Sequence, residues 1–331
     1  MPRFPGHFFW VRKVRNTPYQ KDNFRTIVMK KNLIVILGPT ASGKTTFATR
    51  LAADLDGEII SADSRQVYRG MDIGTGKDLS EFRINGRMIP HHLIDILDPE
   101  QEFNVFRFQK QFYEIFHALQ RKRILPILVG GTGLYLDAVL TNYVLPQAKI
   151  DEHLREELAE KSHTELQGIL LAMKPVLHNK TDLEDRNRLL RKIEIEKVRQ
   201  NPSDEEIQRP FIHAGIFGIH WGMPELRQRV AARLQERMEN GMIEEVSRLQ
   251  SLGLSWKRLD SFGLEYRYIA RYLQNLITKD EMTAKLQIAI GQFAKRQMTW
   301  FRRMEKKGVP IEWVSGKDYH AFRSRVLRVL S

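Results

Sequence analysis

A mostly parallel α/β sheet flanked by helices is the fold class that the sequence predicts, and three observations carry it. A short β-rich apolar run, LIVIL (33–37), leads into Gly38-Pro-Thr-Ala-Ser-Gly-Lys-Thr45, which has the form G-x-x-x-x-G-K-[ST]. A second run of the same type, ILPILVGGTGLYLDAVL (124–140), joins an apolar strand through a glycine turn to a helix. Strand and helix patterns alternate between these two segments, as in a doubly wound sheet. The expectation is therefore a P-loop NTPase-like core.

The elements follow in order. LIVIL reads as a buried parallel strand because it is apolar on both faces. A helix is expected from Lys44 to Ala53 and a second strand over GEIISAD (57–63). HHLIDIL (91–97) is a candidate third strand, and VFRFQKQFYEIFHALQRKR (105–123) has apolar residues at helical spacing. From LPQAKID (145–151) to about residue 200 the signatures are helical. FIHAGIFGIHW (211–221) returns to a strand. Helices are then expected over 224–240, 242–252, 262–275 and roughly 280–304, with a last short strand at VPIEWV (309–314). The predicted organisation is a basic extension (1–31), a core (32–145 with 185–331) whose C-terminal part is helical, and an inserted all-helical subdomain (146–184).

Composition narrows the function. The chain has 331 residues, of which 42% are hydrophobic and 28% charged, as expected for a globular chain with a core. No apolar run is long enough to span a membrane. Cysteine is absent, which excludes disulfides, thiolate zinc sites and thiol catalysis, and points to a reducing, cytoplasmic setting. The net charge of +13 points to an anionic partner. The charge is concentrated at the ends. Residues 1–31 hold eight Lys/Arg against one Asp, and 285–331 hold eleven against three Asp/Glu. The first end lacks the apolar core of a secretory signal. It reads as a disordered tail, or as sequence upstream of a start at Met29.

The loop at 38–45 turns backbone N–H groups and a helix N-terminus toward an anion, with Lys44 adding a charge and Thr45 able to ligate Mg²⁺. An ATP-hydrolysing site of this type places a metal-binding Asp after a second apolar strand. Here RILPILVGG ends in glycines. HHLIDILD offers Asp95 or Asp98 only weakly, and Asp63 is followed by SRQVY rather than another acid. The loop therefore holds a phosphate chain in a site without the usual hydrolytic acid. GTGK (74–77) is too short to be a second phosphate loop, GGTGLY lacks the pattern of a dinucleotide site, and adjacent His91 and His92 are poorly arranged to ligate one metal.

Taken together, GPTASGKT, ISADSRQVYRGMDIGTGK, PHHLIDILDP, LVGGTGLY, DRNRLLRKIE and AKRQMTWFRR resemble the tRNA dimethylallyltransferase (tRNA isopentenyltransferase) family. The resemblance runs from Leu33 to Arg303. It implies transfer of a dimethylallyl group from dimethylallyl diphosphate to N6 of the adenosine 3′-adjacent to the anticodon, in tRNAs reading codons that begin with U. Pyrophosphate is released, so the loop stabilises leaving-group charge and no water is activated. The same resemblance implies an ordered reaction in which tRNA binds first.

On this resemblance Gly38, Pro39, Thr40, Ala41, Ser42, Gly43, Lys44 and Thr45 bind the diphosphate, with Mg²⁺ as cofactor at Thr45. Asp63 matches the catalytic aspartate and suits a base, because an adenine amine is a poor nucleophile. Thr40 matches a threonine beside the bridging oxygen, and Arg233 a diphosphate-contacting arginine. Without the resemblance, Arg233 and its neighbour Arg229 read as a solvated helix face. Asp63, Ser64, Arg65 and Gln66, then Thr132, then Asn187, Arg188, Leu189, Leu190 and Arg191 match tRNA contacts. Asn187 stands where the family usually has Gln, and RKIE (191–194) where it often has RALE. In GQFAKRQMTWFRRM (291–304), Lys295/Arg302 and Arg296/Arg303 recur seven apart beside Phe293, Trp300 and Phe301. That stripe reads equally as an RNA surface or as core aromatics with solvated charge. The expected partners are the tRNA anticodon stem-loop and dimethylallyl diphosphate, with no membrane and a monomeric enzyme. Three alternatives remain at this level: the same transfer to free AMP, a small-molecule kinase, and a non-enzymatic RNA-binding module.

Overall fold

The computed structural model describes residues 30–141, 150–174, 183–200 and 209–331. The basic extension up to residue 29 lies outside the described residues. In chain order the strands are β1 (Leu33–Leu37), β2 (Glu58–Ser61), β3 (Arg83–Ile84), β4 (Arg87–Met88), β5 (His91–His92), β6 (Pro126–Gly130), β7 (Ala214–His220) and β8 (Glu312–Ser315). Six of them form one sheet in the order β5-β2-β6-β1-β7-β8, and every pairing in it is parallel. β3 and β4 form a separate antiparallel hairpin.

The helices are α1 (Lys44–Leu55), α2 (Val105–Arg121), α3 (Gly133–Leu140), α4 (Glu152–Glu157), α5 (His163–Met173), α6 (Arg186–Gln200), α7 (Met223–Glu239), α8 (Met242–Ser251), α9 (Trp256–Ser261), α10 (Leu264–Leu273), α11 (Lys279–Lys306) and α12 (Tyr319–Leu330). β1 is buried along its whole length, and its residues alternate between two cores as the period of a strand requires. Leu33, Val35 and Leu37 pack with α2, α3 and Phe301 of α11. Ile34 and Ile36 pack with α1 and α12. A third core joins α7 through α11 to the segment Val67–Met71. It is this third core that mounts the C-terminal helices over the carboxyl ends of the strands.

Four expectations need correction. The strand expected over 91–97 is only His91–His92, because Leu93 (φ 62°) and Asp95 (φ 53°) turn left-handed and end it. The helix expected over 262–275 is α10, two residues shorter at each end, and the expectation omitted α9 before it, which Gly263 (φ 130°) separates from α10. The last strand starts three residues later and ends one residue later than VPIEWV suggested, and α12 follows it with Tyr319, Phe322 and Val326 buried at helical spacing. The helical insertion does not end at 184. Leu189, Leu190 and Ile193 of α6 share one core with Leu154, Leu158, Leu166 and Leu170 of α4 and α5, so α6 belongs with them. None of the described helices is long and apolar enough to cross a membrane.

Candidate active site

The phosphate loop is shaped by its neighbours. A Cβ at Gly38 would lie 2.9 Å from the carbonyl oxygen of Ile219 in β7, so only glycine lets the loop leave β1 there. Ala41 and Gly43 are left-handed (φ 61° and 80°). Two loop carbonyls are tied from outside. Arg229 Nε donates to Ala41 O at 2.7 Å, and Trp221 Nε1 donates to Ser42 O at 2.8 Å, with the Arg229 guanidinium 4.2 Å from the Trp221 ring. Arg229 thus braces the loop. Lys44 and Thr45 open α1, and the free amides of its first turn with the helix dipole suit an anion.

Four cations gather at this point: Lys44, Arg229, Arg233 and Arg237. With Thr45 they line a cavity of about 610 Å³. Burial first, and then the Arg233 charge, push the Lys44 amine down to about 8. Arg233 is held by Asp78 at 2.5 Å and by Gly76 O at 3.3 Å. Arg237 is buried, 3.7 Å from the Glu265 carboxylate, and its Nε has no partner among the described residues. Burial, followed by the Asp78 charge, raises the Glu81 carboxyl on the rim. Asp72, Asp78, Glu81 and Glu236 also line this cavity, and the four cations gathered beside the loop suit an anion at that end.

A second cavity of about 230 Å³ adjoins the first and shares Lys44, Thr45, Arg233 and Arg237 with it. Thr40, Asp63, Ser64, Arg65, Gln66 and Thr132 line it, so the sequence-predicted residues of the loop, the DSRQ strip and the GGTG turn come together. Asp63 follows β2, and its Oδ1 accepts the Arg65 amide at 2.9 Å, which fixes its direction. Thr132 Oγ1 accepts the Ser64 amide at 3.2 Å. Gln66 is largely committed inside the fold: it accepts from Ser61 Oγ at 3.0 Å and donates to Gly76 O at 3.1 Å. One N–H and one lone pair of its amide remain for a base edge.

The strip on α6 divides. Asn187 and Arg188 are exposed, while Arg191 is half-buried and donates to Glu194 at 2.8 Å. Leu189 and Leu190 are 0% and 9% exposed. Their side chains fill the helical core, which corrects the expectation that they contact tRNA. None of the five lines either cavity. On α11 the basic residues Lys295, Arg296, Arg302 and Arg303 are exposed and Phe301 is core, whereas Phe293 lines the second cavity. Asp95 is paired with Lys77, and Asp98 with Arg69 at 2.9 Å, so neither serves as the acid of a hydrolytic site.

Sequence reasoning missed three residues of this site: Arg237, which lines both cavities, and two more. Gln297 of α11 is buried; its Oε1 accepts the Thr40 amide at 2.8 Å and its Nε2 donates to Gly131 O at 2.8 Å. It ties the phosphate loop to the turn after β6. The signal was present, since Gln297 interrupts the stripe Ile290, Ala294, Phe301 at helical spacing. Glu265 also lines the second cavity; burial raises its carboxyl, against the opposing pull of Arg237.

Residues 66–304 match the family model described as IPP transferase, and residues 31–88 match the one described as Isopentenyl transferase. The chain belongs to the IPP transferase family. A tRNA dimethylallyltransferase 1 of Syntrophus aciditrophicus is 54% identical to it over 304 residues, covering 90% of this chain and 98% of that one. A tRNA dimethylallyltransferase 2 of Trichlorobacter lovleyi is 51% identical over 285 residues, covering 86% and 92%. Among solved structures, the tRNA isopentenylpyrophosphate transferase of Bacillus halodurans is similar with a TM-score of 0.66 at 30% identity, covering 91% of this chain and 97% of that one. A eukaryotic dimethylallyltransferase acting on tRNA shares the fold, with a TM-score of 0.71 at 24% identity, covering 86% and 74%. Within the IPP transferase family frame, the two model matches divide the site between them. The shorter one spans the phosphate loop and Asp63, and the longer one runs from Gln66 through Gln297.

Proposed function

We propose that this chain transfers a dimethylallyl group from dimethylallyl diphosphate to N6 of the adenosine 3′-adjacent to the anticodon, in tRNAs reading codons that begin with U, and releases pyrophosphate. One observation carries the reading: two cavities meet at a shared set of cations, with Asp63 and Thr40 on the second. An anionic leaving group suits the first and a nucleophilic base suits the second. N6 forms a bond to C1 of the dimethylallyl group as the bond from C1 to the diphosphate oxygen breaks. The proton lost from N6 goes to Asp63, the positioned base. The electron pair leaves with pyrophosphate, whose growing charge is met by Lys44, Arg233, the loop amides and the Thr40 hydroxyl.

The residues present fit a magnesium ion shared with the diphosphate. The Thr45 side chain has no hydrogen-bond partner among the described residues and lines both cavities. No cluster of three acidic or histidine ligands occurs among the described residues, so diphosphate oxygens would complete its shell. The ion would supply charge neutralisation on the leaving group. The tRNA anticodon stem-loop is the macromolecular partner, with Asn187, Arg188 and the exposed basic residues of α11 available to its backbone. On this reading the enzyme acts as a monomer.

The test is incubation with unmodified tRNA and dimethylallyl diphosphate, followed by nucleoside mass spectrometry. Prenylated adenosine is expected, and Asp63→Ala lowers its formation by about two to four orders of magnitude while tRNA still binds. Equal turnover of AMP and tRNA, or phosphate transfer from ATP without dimethylallyl diphosphate, would replace this reading.

A further inference from the structure

The segment GMDIGTGK (70–77) looks like a fragment of a second phosphate loop but serves a different purpose. Glu245 of α8 is 6% exposed on a face that otherwise buries Met242, Val246 and Leu249. Its carboxylate accepts the consecutive amides of Asp72, Ile73 and Gly74 at 2.8, 2.7 and 3.0 Å, and the Tyr266 hydroxyl at 2.7 Å. Four charge-assisted donors fill its lone-pair directions. On the other side of the segment the Lys77 ammonium, with no exposed surface, donates to Tyr68 O at 2.6 Å and to Asp72 at 2.8 Å, and contacts Asp95.

The glycines are required by what packs on them. A Cβ at Gly74 would lie 2.6 Å from the Tyr266 ring. At Gly76 (φ 66°) it would lie 2.8 Å from Arg233 Nη2 and overlap the Arg237 guanidinium. The Gly76 carbonyl receives two donors, Gln66 Nε2 at 3.1 Å and Arg233 Nη2 at 3.3 Å. One carbonyl therefore registers an arginine of the first cavity against the strip of the second.

We propose that Glu245 is a positioning residue for the transfer: gripping residues 72–74, it holds the Gly76 carbonyl, and through it Arg233 and Gln66, in register across the two cavities. This rests on the proposed function, which assigns Arg233 to the diphosphate. Glu245→Gln keeps the shape but turns an amide NH₂ toward backbone donors, so the segment shifts and Arg233 loses its Gly76 partner while keeping Asp78.

Full-length Glu245→Gln and Tyr266→Phe are compared with the unmodified protein by pyrophosphate calorimetry, steady-state kinetics and thermal unfolding. In Glu245→Gln the pyrophosphate Kd and the KM for dimethylallyl diphosphate rise about tenfold, the cost of a small misplacement of one binding group. Affinity for tRNA, spread over many phosphate contacts, changes less than about threefold. Tyr266→Phe moves the same two quantities in the same direction by a smaller factor. A folded Glu245→Gln with unchanged Kd and KM, its loss confined to melting temperature or to the amount of active enzyme, overturns the proposal. Should Glu245→Gln fail to fold, Tyr266→Phe decides alone, and unchanged Kd and KM there overturn it. Absence of pyrophosphate binding by the unmodified protein removes the diphosphate reading itself, and this proposal with it.

Discussion

The link between Gln297 and Gly131 sets up a double-mutant test of the site. A Cβ at Gly131 would lie 2.4 Å from Gln297 Nε2 and 3.2 Å from Gly38 O. The first distance is a clash and the second only tight, so Gly131→Ala acts mainly by evicting the Gln297 amide. Eviction breaks two bonds at once, one to Thr40 N and one to Gly131 O. Each buried group left without a partner costs about 1–3 kcal/mol, so either single substitution should lower stability by about 2–4 kcal/mol after partial rehydration. Both should also loosen Thr40, lowering kcat/KM by about tenfold or more, since 1.4 kcal/mol is a tenfold change in rate. In the double variant the clash has no partner left, and Gly131→Ala should add almost nothing to Gln297→Ala. The coupling energy is then about as large as one single effect, at the upper end of the range for contacting residues, about 0.5–3 kcal/mol. Urea unfolding and steady-state prenylation on purified variants give both numbers. Additive losses in the double variant would refute the account, because they would mean that alanine at 131 disturbs something other than Gln297.

Three further outcomes follow from the geometry. With the Lys44 amine near 8, the charged form that favours diphosphate fades as pH rises through that value; binding raises the pKa, so a proton is taken up, and pyrophosphate affinity should fall about tenfold between pH 7 and pH 9. Calorimetry at pH 8 in two buffers of different ionisation enthalpy should register that uptake, and equal heats would contradict it. Thr40→Val should leave the Thr40 amide bond to Gln297 intact while lowering kcat by about 10²-fold, the cost of one donor to developing charge, as read in single-turnover prenylation. Leu189→Asn should cost about 2–5 kcal/mol of stability in the helical cluster, whereas Arg188→Ala should leave stability unchanged and lower the salt dependence of tRNA binding, measured by unfolding and by filter binding at two ionic strengths.

How much of this was legible in the sequence depends on how local each cause is. β1, the loop and α1 carry their signals in one contiguous stretch, so the expected and observed bounds nearly coincide even though distant residues brace the loop. α2 was legible because its buried Phe108, Phe112 and Phe116 keep helical spacing. β5 was misread because HHLIDIL is apolar enough for a strand, while the backbone turns left-handed at Leu93 and Asp95 and the Asp95 carboxylate is held by Lys77, eighteen positions earlier. At the site, the phosphate loop and Asp63 came from motif and resemblance. Gln297 and Glu245 did not, since each acts on backbone groups more than 160 positions away. A buried polar residue in an apolar stripe can be noticed in one sequence, but not which distant amide it serves. The pair Leu189 and Leu190 errs the other way: matching a whole strip carried core positions along with the exposed ones.

The arrangement also accounts for why a loop of this form works without a hydrolytic acid. A displacement at carbon places the nucleophile opposite the leaving oxygen, so the reacting carbon belongs where the two cavities join. Lys44, Thr45, Arg233 and Arg237 occupy that junction, with Thr40 on the second side. On the first side Lys44, Arg229, Arg233 and Arg237 suit departing diphosphate, and the carboxylates Asp78 and Glu81 that also line it are engaged by Arg233 and Thr46. On the second side the one fixed carboxylate among the predicted residues is Asp63, held by the Arg65 amide, and the remaining wall includes Phe262, Ile290 and Phe293. An apolar wall excludes water unless a flat base fills the space, and a base that fills it brings its own amine to Asp63. On the proposed reading, hydrolysis of the prenyl diphosphate is suppressed by the same surfaces that admit the adenine. Phe293→Ala, which opens that wall from a position 39% exposed, should therefore raise the release of pyrophosphate without prenylation relative to productive transfer.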